Sequence, residues 1–212
     1  MDNFDYAKDS LTRMPLEHYT AQFASGDPEE MAVRCNVDYD PARRTFSLKI
    51  MDRTYTVTHP DFVCRNEDGS VCENANIKIL ILRYLNDGAY QAPGEGTITY
   101  HDFPWGDTYY RQFEGRCMKR MAYGFGYKLD VFEKAMEKLG AEKLSMGDCA
   151  YKVEFMKDLY VCFILWGADD EFDPTCQMLF SDNFPRAFTA EDVAHVGDIS
   201  ISRIKEAAAS LQ

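Results

Sequence analysis

The sequence lacks an apolar run that could cross a bilayer. The longest one, LYVCFILW at residues 159–166, has eight residues, whereas a transmembrane helix needs about 20. The first ten residues, MDNFDYAKDS, carry neither the basic region nor the apolar region of a signal peptide. The sequence therefore predicts a soluble, cytoplasmic protein.

Positive charge is also scarce. Lys and Arg number 23 against 35 Asp and Glu, which gives a formal net charge of −12. Most of such a surface repels phosphate backbones and anionic lipid head groups, so binding to nucleic acid or to a membrane is not expected. The partners left to consider are a small molecule or another protein.

Cysteine motifs are absent, although cysteines are not. No C-x-x-C occurs and no Cys/His pair has zinc-finger spacing, so neither a structural zinc site nor an iron–sulfur cluster is indicated. Cys117 and Cys162 fall in apolar patterns, where thiols behave as small hydrophobic groups. Reduced thiols are predicted for all seven cysteines, which are Cys35, Cys64, Cys72, Cys117, Cys149, Cys162 and Cys176.

The common catalytic motifs are missing as well. There is no G-x-S-x-G, no G-x-x-x-x-G-K-[ST] and no H-E-x-x-H. Gly124 and Gly126 do not follow a predicted strand and lack the third glycine of a dinucleotide-binding turn. The four histidines lie far apart, and none has a local signature. Whether the protein is an enzyme, and which cofactor it takes, stays open.

What is present is a series of hairpin patterns. Phe46, Leu48 and Ile50 alternate with polar residues, as do Tyr55 and Val57, which predicts a β-hairpin with one buried face. CAYKVEF and LYVCFILW predict a second hairpin, and the continuous apolar run of the latter is typical of a central strand. Short strands are also expected within APGEGTITYHDF and at residues 177–180.

Helical spacing covers most of the remaining chain. Helices are predicted at residues 4–25, from Asp27-Pro28 onward, at 75–88, 107–123 and 129–139, and from Thr189 to the C-terminal segment. Because the strands come as hairpins and not as β-α-β units, we expect an α+β fold with a mainly antiparallel sheet packed with amphipathic helices. The simpler prediction is one globular domain, 1–212. In the alternative, the helical segment 1–36 is an appendage to it.

An acidic loop, ADDEFDP, follows the apolar run. An EF-hand loop starting at Asp169 would next use Glu171 and Asp173, but Pro174 occupies its glycine position and Phe180 its last ligand position. An EF-hand is therefore excluded. A looser metal site or an acid–base pair stays open, as in a metal-dependent hydrolase using residues 169–173, because carboxylates at a strand exit can converge. The alternative is a solvated turn of an acidic protein.

A basic stretch lies between residues 111 and 128. It could grip a phosphate, a carboxylate or an acidic partner, since arginine offers a planar fork for such groups. It could equally be the solvated face of an amphipathic helix or a counter-charge for the acidic loop. Its cations are Arg111, Arg116, Lys119, Arg120 and Lys128, against the single acid Glu114.

Short motifs recur in a fixed order between residues 79 and 198. They are ILILRYL at 79–85, GEGTITYHDF at 94–103, the spacing of Tyr110, Phe113 and Arg116, Gly147-Asp148, LWGADDEF at 165–172, MLF at 178–180 and AEDVAHVGD at 190–198. In these motifs the chain resembles the bacterial and archaeal family known as domain of unknown function 3786. Two positions depart from the family pattern. Gly96 stands where a bulky residue is expected, and Ser181 where aspartate is usual, with Asp182 one place later.

The resemblance implies little about activity, since the family has no established reaction. Its members are frequent in anaerobes, and some are joined to the iron–sulfur domain of corrinoid proteins. The resemblance therefore implies an association with anaerobic corrinoid or one-carbon metabolism, which is an analogy and not a mechanism.

Our main expectation is an accessory or binding module for a small anionic ligand, a cofactor or a protein partner. The alternatives are the metal-dependent hydrolase and a structural protein with no ligand. No residue is assigned a catalytic or metal-ligating role. We expect Asp170 or Glu171 to pair with, or coordinate, something near Arg116. The candidate ligand-binding residues are Arg111, Arg116, Trp166, Asp169, Asp170 and Glu171.

Overall fold

The computed structural model describes residues 13–211. The chain divides into two compact units, the first ending at Gln91 and the second beginning at Ala92. Each contains helices and one antiparallel sheet, so the α+β class is confirmed, with two sheets in place of the single one expected. Residues 4–12 of the first predicted helix lie outside the described part, and the one-domain organisation stays a prediction.

The first unit holds a four-stranded antiparallel meander. Leu48 pairs with Tyr55 in the predicted hairpin, and Phe46, Leu48 and Ile50 are buried while Lys49 is exposed, as the period-two pattern requires. Neighbouring strands in the sheet follow chain order. The strands are β1 (Asp38–Asp40), β2 (Thr45–Ile50), β3 (Arg53–Thr58) and β4 (Cys64–Asn66).

Three described helices complete the first unit: α1 (Arg13–Ser25), α2 (Pro28–Cys35) and α3 (Ala75–Asp87). Asp27 caps α2 as predicted, since its carboxylate accepts the backbone N–H groups of Glu29 and Glu30 and Pro28 occupies the first helical turn. Most apolar residues of α3 are buried, in agreement with its dense apolar sequence.

The second unit is built on a five-stranded antiparallel sheet with the order β5-β9-β8-β7-β6. The apolar run LYVCFILW forms β8, which lies in the middle of the sheet, so the prediction of a central strand is confirmed. Asp158 adopts a left-handed φ of 61° in the tight turn before it. The strands are β5 (Thr97–Ile98), β6 (Glu142–Leu144), β7 (Cys149–Met156), β8 (Leu159–Trp166) and β9 (Thr175–Ser181).

The helix predicted at 107–123 is present, but it contains a wider turn. α4 (Gly106–Phe113) continues through a π-helical segment (Glu114–Lys119) into α5 (Arg120–Phe125) without leaving helical backbone angles. Four of its buried side chains, Phe113, Cys117, Met121 and Phe125, are four residues apart. Side chains spaced four residues apart shift gradually around the axis of an α-helix, because it has only 3.6 residues per turn. The wider π turn brings these side chains back to one side.

The remaining helices are α6 (Leu129–Lys138), α7 (Phe184–Ala187) and α8 (Ala190–Ala209). Thr189 and Asp192 form the predicted capping box, in which each side chain hydrogen-bonds the other residue's backbone N–H. α8 lies close to the π-helical segment, because a Cβ added to Gly197 would stand only 2.5 Å from Cys117 Sγ. No helix between residues 13 and 211 combines the length and apolar character of a membrane span.

Candidate functional site

The acidic loop is a defined turn at the exit of β8. The Asp169 carboxylate accepts the backbone N–H of Glu171 at 2.8 Å and that of Phe172 at 2.7 Å. The Asp169 N–H in turn donates to the Phe172 carbonyl at 3.1 Å. Asp169 is therefore occupied in holding the turn, as aspartate commonly is in such positions.

Both ends of this loop are fixed to the neighbouring backbone. At its start, Gly167 donates its N–H to the Asp148 carboxylate at 2.8 Å, and Ala168 donates to the Gly126 carbonyl at 3.1 Å. At its end, Pro174 lies against Gly126 so closely that any side chain on that glycine would clash with it. Gly126 thus belongs to a close backbone approach and not to a nucleotide-binding turn.

Asp173 connects the loop to two tyrosines beyond the π-helical segment. Its two carboxylate oxygens accept the hydroxyl groups of Tyr123 and Tyr127, each at 3.2 Å. Burial, followed by the hydrogen bond and charge of Asp173, raises the pKa of Tyr127. The two rings nevertheless remain largely exposed, at 55% and 63%.

Exposed apolar side chains gather around this loop. Trp166 stands at its entrance and Phe172 within it, and they are 41% and 69% exposed. Asp170 and Glu171 are exposed between them, and their side chains make no ion pair or hydrogen bond within the described residues. We call this region the aromatic–acidic surface and define it as Tyr123, Tyr127, Trp166, Phe172, Asp169, Asp170, Glu171 and Asp173.

The structure brings Arg116 to a different carboxylate from the expected one. Arg116 is paired with Asp198 of α8, and its guanidinium also lies 3.4 Å from His195 Nδ1. Neither Asp170 nor Glu171 forms the expected ion pair beside Arg116 among residues 13–211, and coordination of a ligand there stays a prediction. Arg111, the other predicted arginine, is exposed on α4. Of the six candidate residues, the structure groups Trp166, Asp169, Asp170 and Glu171 and leaves both arginines apart from them.

The Asp198 carboxylate also pairs with a second arginine. Arg120 Nη1 lies 2.7 Å from Asp198 Oδ1, and its Nη2 donates to the Ser202 hydroxyl at 3.1 Å. Further along the two helices, Lys205 passes over Gly124, with its Nζ 3.7 Å from where a Cβ would be. We call Arg116, Arg120, Lys128 and Lys205 the basic row. Burial, and then the charges of Arg120 and Lys128, lower the pKa of Lys205.

Sequence reasoning missed Asp198 and Lys205 as neighbours of the basic stretch. A local signal existed, since Asp198, Ser202 and Lys205 follow one another at helical spacing on one side of α8. What the spacing could not supply was the identity of the facing helix.

The carboxylates of the acidic loop do not converge on a common point. Asp169 is turned to backbone amides and Asp173 to tyrosine hydroxyls. Across residues 13–211 no group of three or more His, Cys, Asp or Glu side chains is arranged to hold a metal ion. The metal-dependent hydrolase stays a prediction that these contacts do not support.

The two departures from the family pattern have structural roles at the β5–β9 edge. The Asp182 carboxylate accepts the Gly94 N–H at 2.8 Å, and Gly96 leaves ordinary contact distance, 3.7 Å, to the same carboxylate. The buried Ser181 hydroxyl accepts the Tyr160 N–H at 3.0 Å and donates to Asn183 at 2.6 Å. The Asp182 carboxylate and the Ser181 hydroxyl therefore both have hydrogen-bond partners at this edge of the sheet.

Comparison with known proteins gives one match. A family model described as "Domain of unknown function (DUF3786)" matches residues 27–203. The match extends the resemblance seen at 79–198 towards the N-terminus, and it includes the aromatic–acidic surface and three members of the basic row, Arg116, Arg120 and Lys128. No curated protein and no solved structure matches the chain.

Proposed function

The chain belongs to the DUF3786 family, and from that premise we propose that it is a binding module whose aromatic–acidic surface docks a basic segment of a protein partner. The observation that carries the proposal is a loop whose Asp170 and Glu171 side chains have no ion-pair or hydrogen-bond partner among residues 13–211. Exposed Trp166 and Phe172 stand at its entrance and within it, and its Asp173 binds the exposed tyrosines Tyr123 and Tyr127.

The aromatic side chains supply the apolar part of such an interface. Single exposed apolar residues are normal, but a group of them marks an interaction site. Tyrosine, tryptophan and phenylalanine are also the residues enriched in protein interfaces, because each covers a large area with few rotatable bonds. Tyr123, Tyr127, Trp166 and Phe172 meet this description.

The carboxylates favour a cationic partner over other kinds. Asp170 and Glu171 would gain charge partners, and the neighbouring aromatic faces attract lysine or arginine through cation–π contacts. A complementary charge also speeds the encounter and rejects acidic competitors. The surface therefore fits a segment in which lysine or arginine alternates with small or apolar residues.

The loop is pre-organised for binding. Asp169 closes its turn, Pro174 stiffens its end, and Asp173 ties it to two tyrosines, so little conformational entropy remains to be lost on docking. A rigid surface of this kind can bind a short segment with useful affinity even where the contact area is small.

The test uses a blocked peptide of alternating arginine and glycine, with the matching glutamate–glycine peptide as its charge-reversed control. We expect backbone NMR shifts at residues 123–127 and 166–173 with the arginine peptide alone. The double variant Trp166→Ala/Phe172→Ala should weaken binding about tenfold, or about 1.4 kcal/mol.

Tyr109→Ala provides the matched control, because Tyr109 is an exposed aromatic residue outside this surface. Its affinity should equal that of the unaltered protein. Shifts spread evenly over the acidic residues of the protein, or equal losses in the two variants, would contradict the proposal.

The basic row favours a second candidate, a small anionic ligand. Asp198 offsets the charge at its Arg116 end, whereas Lys128 and Lys205 make no ion pair within residues 13–211. Lys205 Nζ lies against Gly124, 3.7 Å from where a Cβ would be, and a phosphate or carboxylate bound there would meet the ammonium beside the helix. Pyrophosphate should raise the Tm of the unaltered protein and of Lys157→Gln, but not that of Lys128→Gln/Lys205→Gln.

A further inference from the structure

Two cysteines of the first unit face each other across a short hairpin. After β4 the chain turns back, and Arg65 forms an antiparallel bridge with Val71. The hydrogen bonds on either side of this bridge run from Asn66 N–H to the Ser70 carbonyl and from Cys72 N–H to the Cys64 carbonyl, both at 2.9 Å. This pattern makes Cys64 and Cys72 directly opposite neighbours at a hydrogen-bonded position.

Opposite residues at such a position point their side chains to the same face, with their Cα atoms about 5.5 Å apart. That separation falls within the range of about 4.4–6.8 Å over which a disulfide can form. Both side chains are buried, at 2% exposure each, and they lie close enough for the ionisation of each thiol to affect the other. The backbone has thus placed two thiols together with little movement needed to join them.

One of the two thiols is suited to act as the nucleophile, and the other to stay protonated. The adjacent Cys64 thiol lowers the pKa of Cys72 to about 6, against the opposing effect of burial and with assistance from the Lys78 ammonium. The contact with Cys72, and then burial, raise the pKa of Cys64 above its usual range. Of the two, Cys72 is the thiol that ionises more readily, and the thiolate is the reactive form.

The other cysteines have the opposite environment. In the same unit, burial raises the pKa of Cys35 to about 11, and its thiol points to the carbonyl groups of Tyr84 and Gly88. Burial is also the largest cause that raises the pKa of Cys117, Cys149, Cys162 and Cys176. Cys72 alone among the seven has a lowered pKa.

The segment next to the buried pair is exposed to solvent. The turn that joins the two cysteines, residues 67–70, is exposed. Beside it lies an open cavity of about 350 Å³, lined by Arg53, Thr54, Tyr55, Asn66, Glu67 and Asp68. Tyr55 belongs to this cavity and is also close enough to Cys72 for the two charges to interact. Local opening of a short exposed turn would suffice to admit a small reagent.

We propose that Cys64 and Cys72 form a thiol–disulfide exchange site whose substrate class is a small-molecule disulfide. The Cys72 thiolate attacks one sulfur of the substrate, the substrate S–S bond breaks, and one substrate thiolate leaves and takes up a proton. Cys64 then loses its proton and attacks the Cys72 sulfur of the mixed disulfide, which releases the second substrate thiol. The cysteine pair is oxidised by two electrons, and the substrate disulfide is reduced to two thiols.

The experiment is to incubate the reduced full-length protein with oxidised glutathione at neutral pH and to map its peptides by mass spectrometry. We expect one internal disulfide, joining Cys64 to Cys72. In Cys64→Ser the reaction should stop at a glutathione adduct on Cys72, formed at least about tenfold faster than any adduct on Cys35. In Cys72→Ser neither the disulfide nor the fast adduct should form.

Cys35→Ser is the matched control, since it removes a buried thiol of the same unit and should leave the Cys64–Cys72 disulfide unchanged. The wild-type peptide map decides the matter even if a variant fails to fold. Absence of the Cys64–Cys72 link there, or a link that forms only after denaturant exposes all seven thiols together, would overturn the proposal.

Discussion

The basic row and the acidic loop both concentrate charge of one sign, and they accommodate it differently. In the basic row a carboxylate from another helix, Asp198, lies between two arginines that are 78 and 82 residues away in sequence. In the loop, Asp169 and Asp173 are held by amide and hydroxyl donors instead, while Asp170 and Glu171 stay exposed. A carboxylate thus offsets the arginine end of the row, whereas no cation among residues 13–211 forms an ion pair with the loop carboxylates.

The difference shows what a charge run in a sequence can mean. Opposite charge offsets the arginine end of the row within the fold, whereas neutral donors order the loop without cancelling its charge. The basic row and the acidic loop therefore do not neutralise each other, although a sequence with a basic stretch and an acidic loop suggests that they would. Substitutions in each region test this difference in charge compensation.

The largest effect is expected at the contact that brings Asp198 to the basic row. Gly197→Val should lower the free energy of unfolding by about 1–3 kcal/mol, because its Cβ would stand 2.5 Å from Cys117 Sγ and would push α8 from the π-helical segment. Gly115→Ala is the matched control, since nothing lies within 4 Å of its Cβ position. Chemical denaturation measures both, and equal stabilities would show that the close approach is not required.

A smaller effect is expected when the shared carboxylate itself is removed. Asp198→Asn should cost about 1 kcal/mol, since the two arginines are partly exposed and water replaces part of the lost interaction. The loss should shrink in high salt. Asp170→Asn, which removes an unpaired loop carboxylate, should cost nothing or stabilise slightly. If denaturation at low salt shows the same loss for both variants, the contrast between the two regions is wrong.

The sequence predicted local features of these regions better than distant ones. The hairpins and the capped helices follow from period and cap residues, and the turn at Asp169 depends on atoms two and three residues away. The Arg116–Asp198 pair depends on which helix lies beside the basic stretch, and nothing in a single sequence fixes that choice. For this reason the ion-pair partner of Arg116, Asp198, was not among the carboxylates expected there.

Other features were encoded but ambiguous. Buried residues spaced four apart at 113–125 fit two structures: an α-helix whose buried side chains shift gradually around its axis, or a helix with a π turn. The structure has the π turn, and it packs against Gly197. Tyr123 and Tyr127 have helical spacing from one another, yet they face the loop and not the core. Aromatic residues are usually core residues, so their exposure could not be anticipated without the loop in place.

The smallest effect is expected at the carboxylate that joins the loop to the tyrosines. Burial and the Asp173 contact raise the pKa of Tyr127, so Asp173→Asn should lower it towards the usual value. Because the folded pKa lies above the unfolded one, the contact favours folding at lower pH, and this advantage is lost as pH rises through the folded pKa. NMR titration of the Tyr127 ring measures the change. Asp170→Asn should leave that titration unmoved, and an equal shift in both variants would mean that general loop charge, and not the Asp173 hydrogen bond, acts on Tyr127.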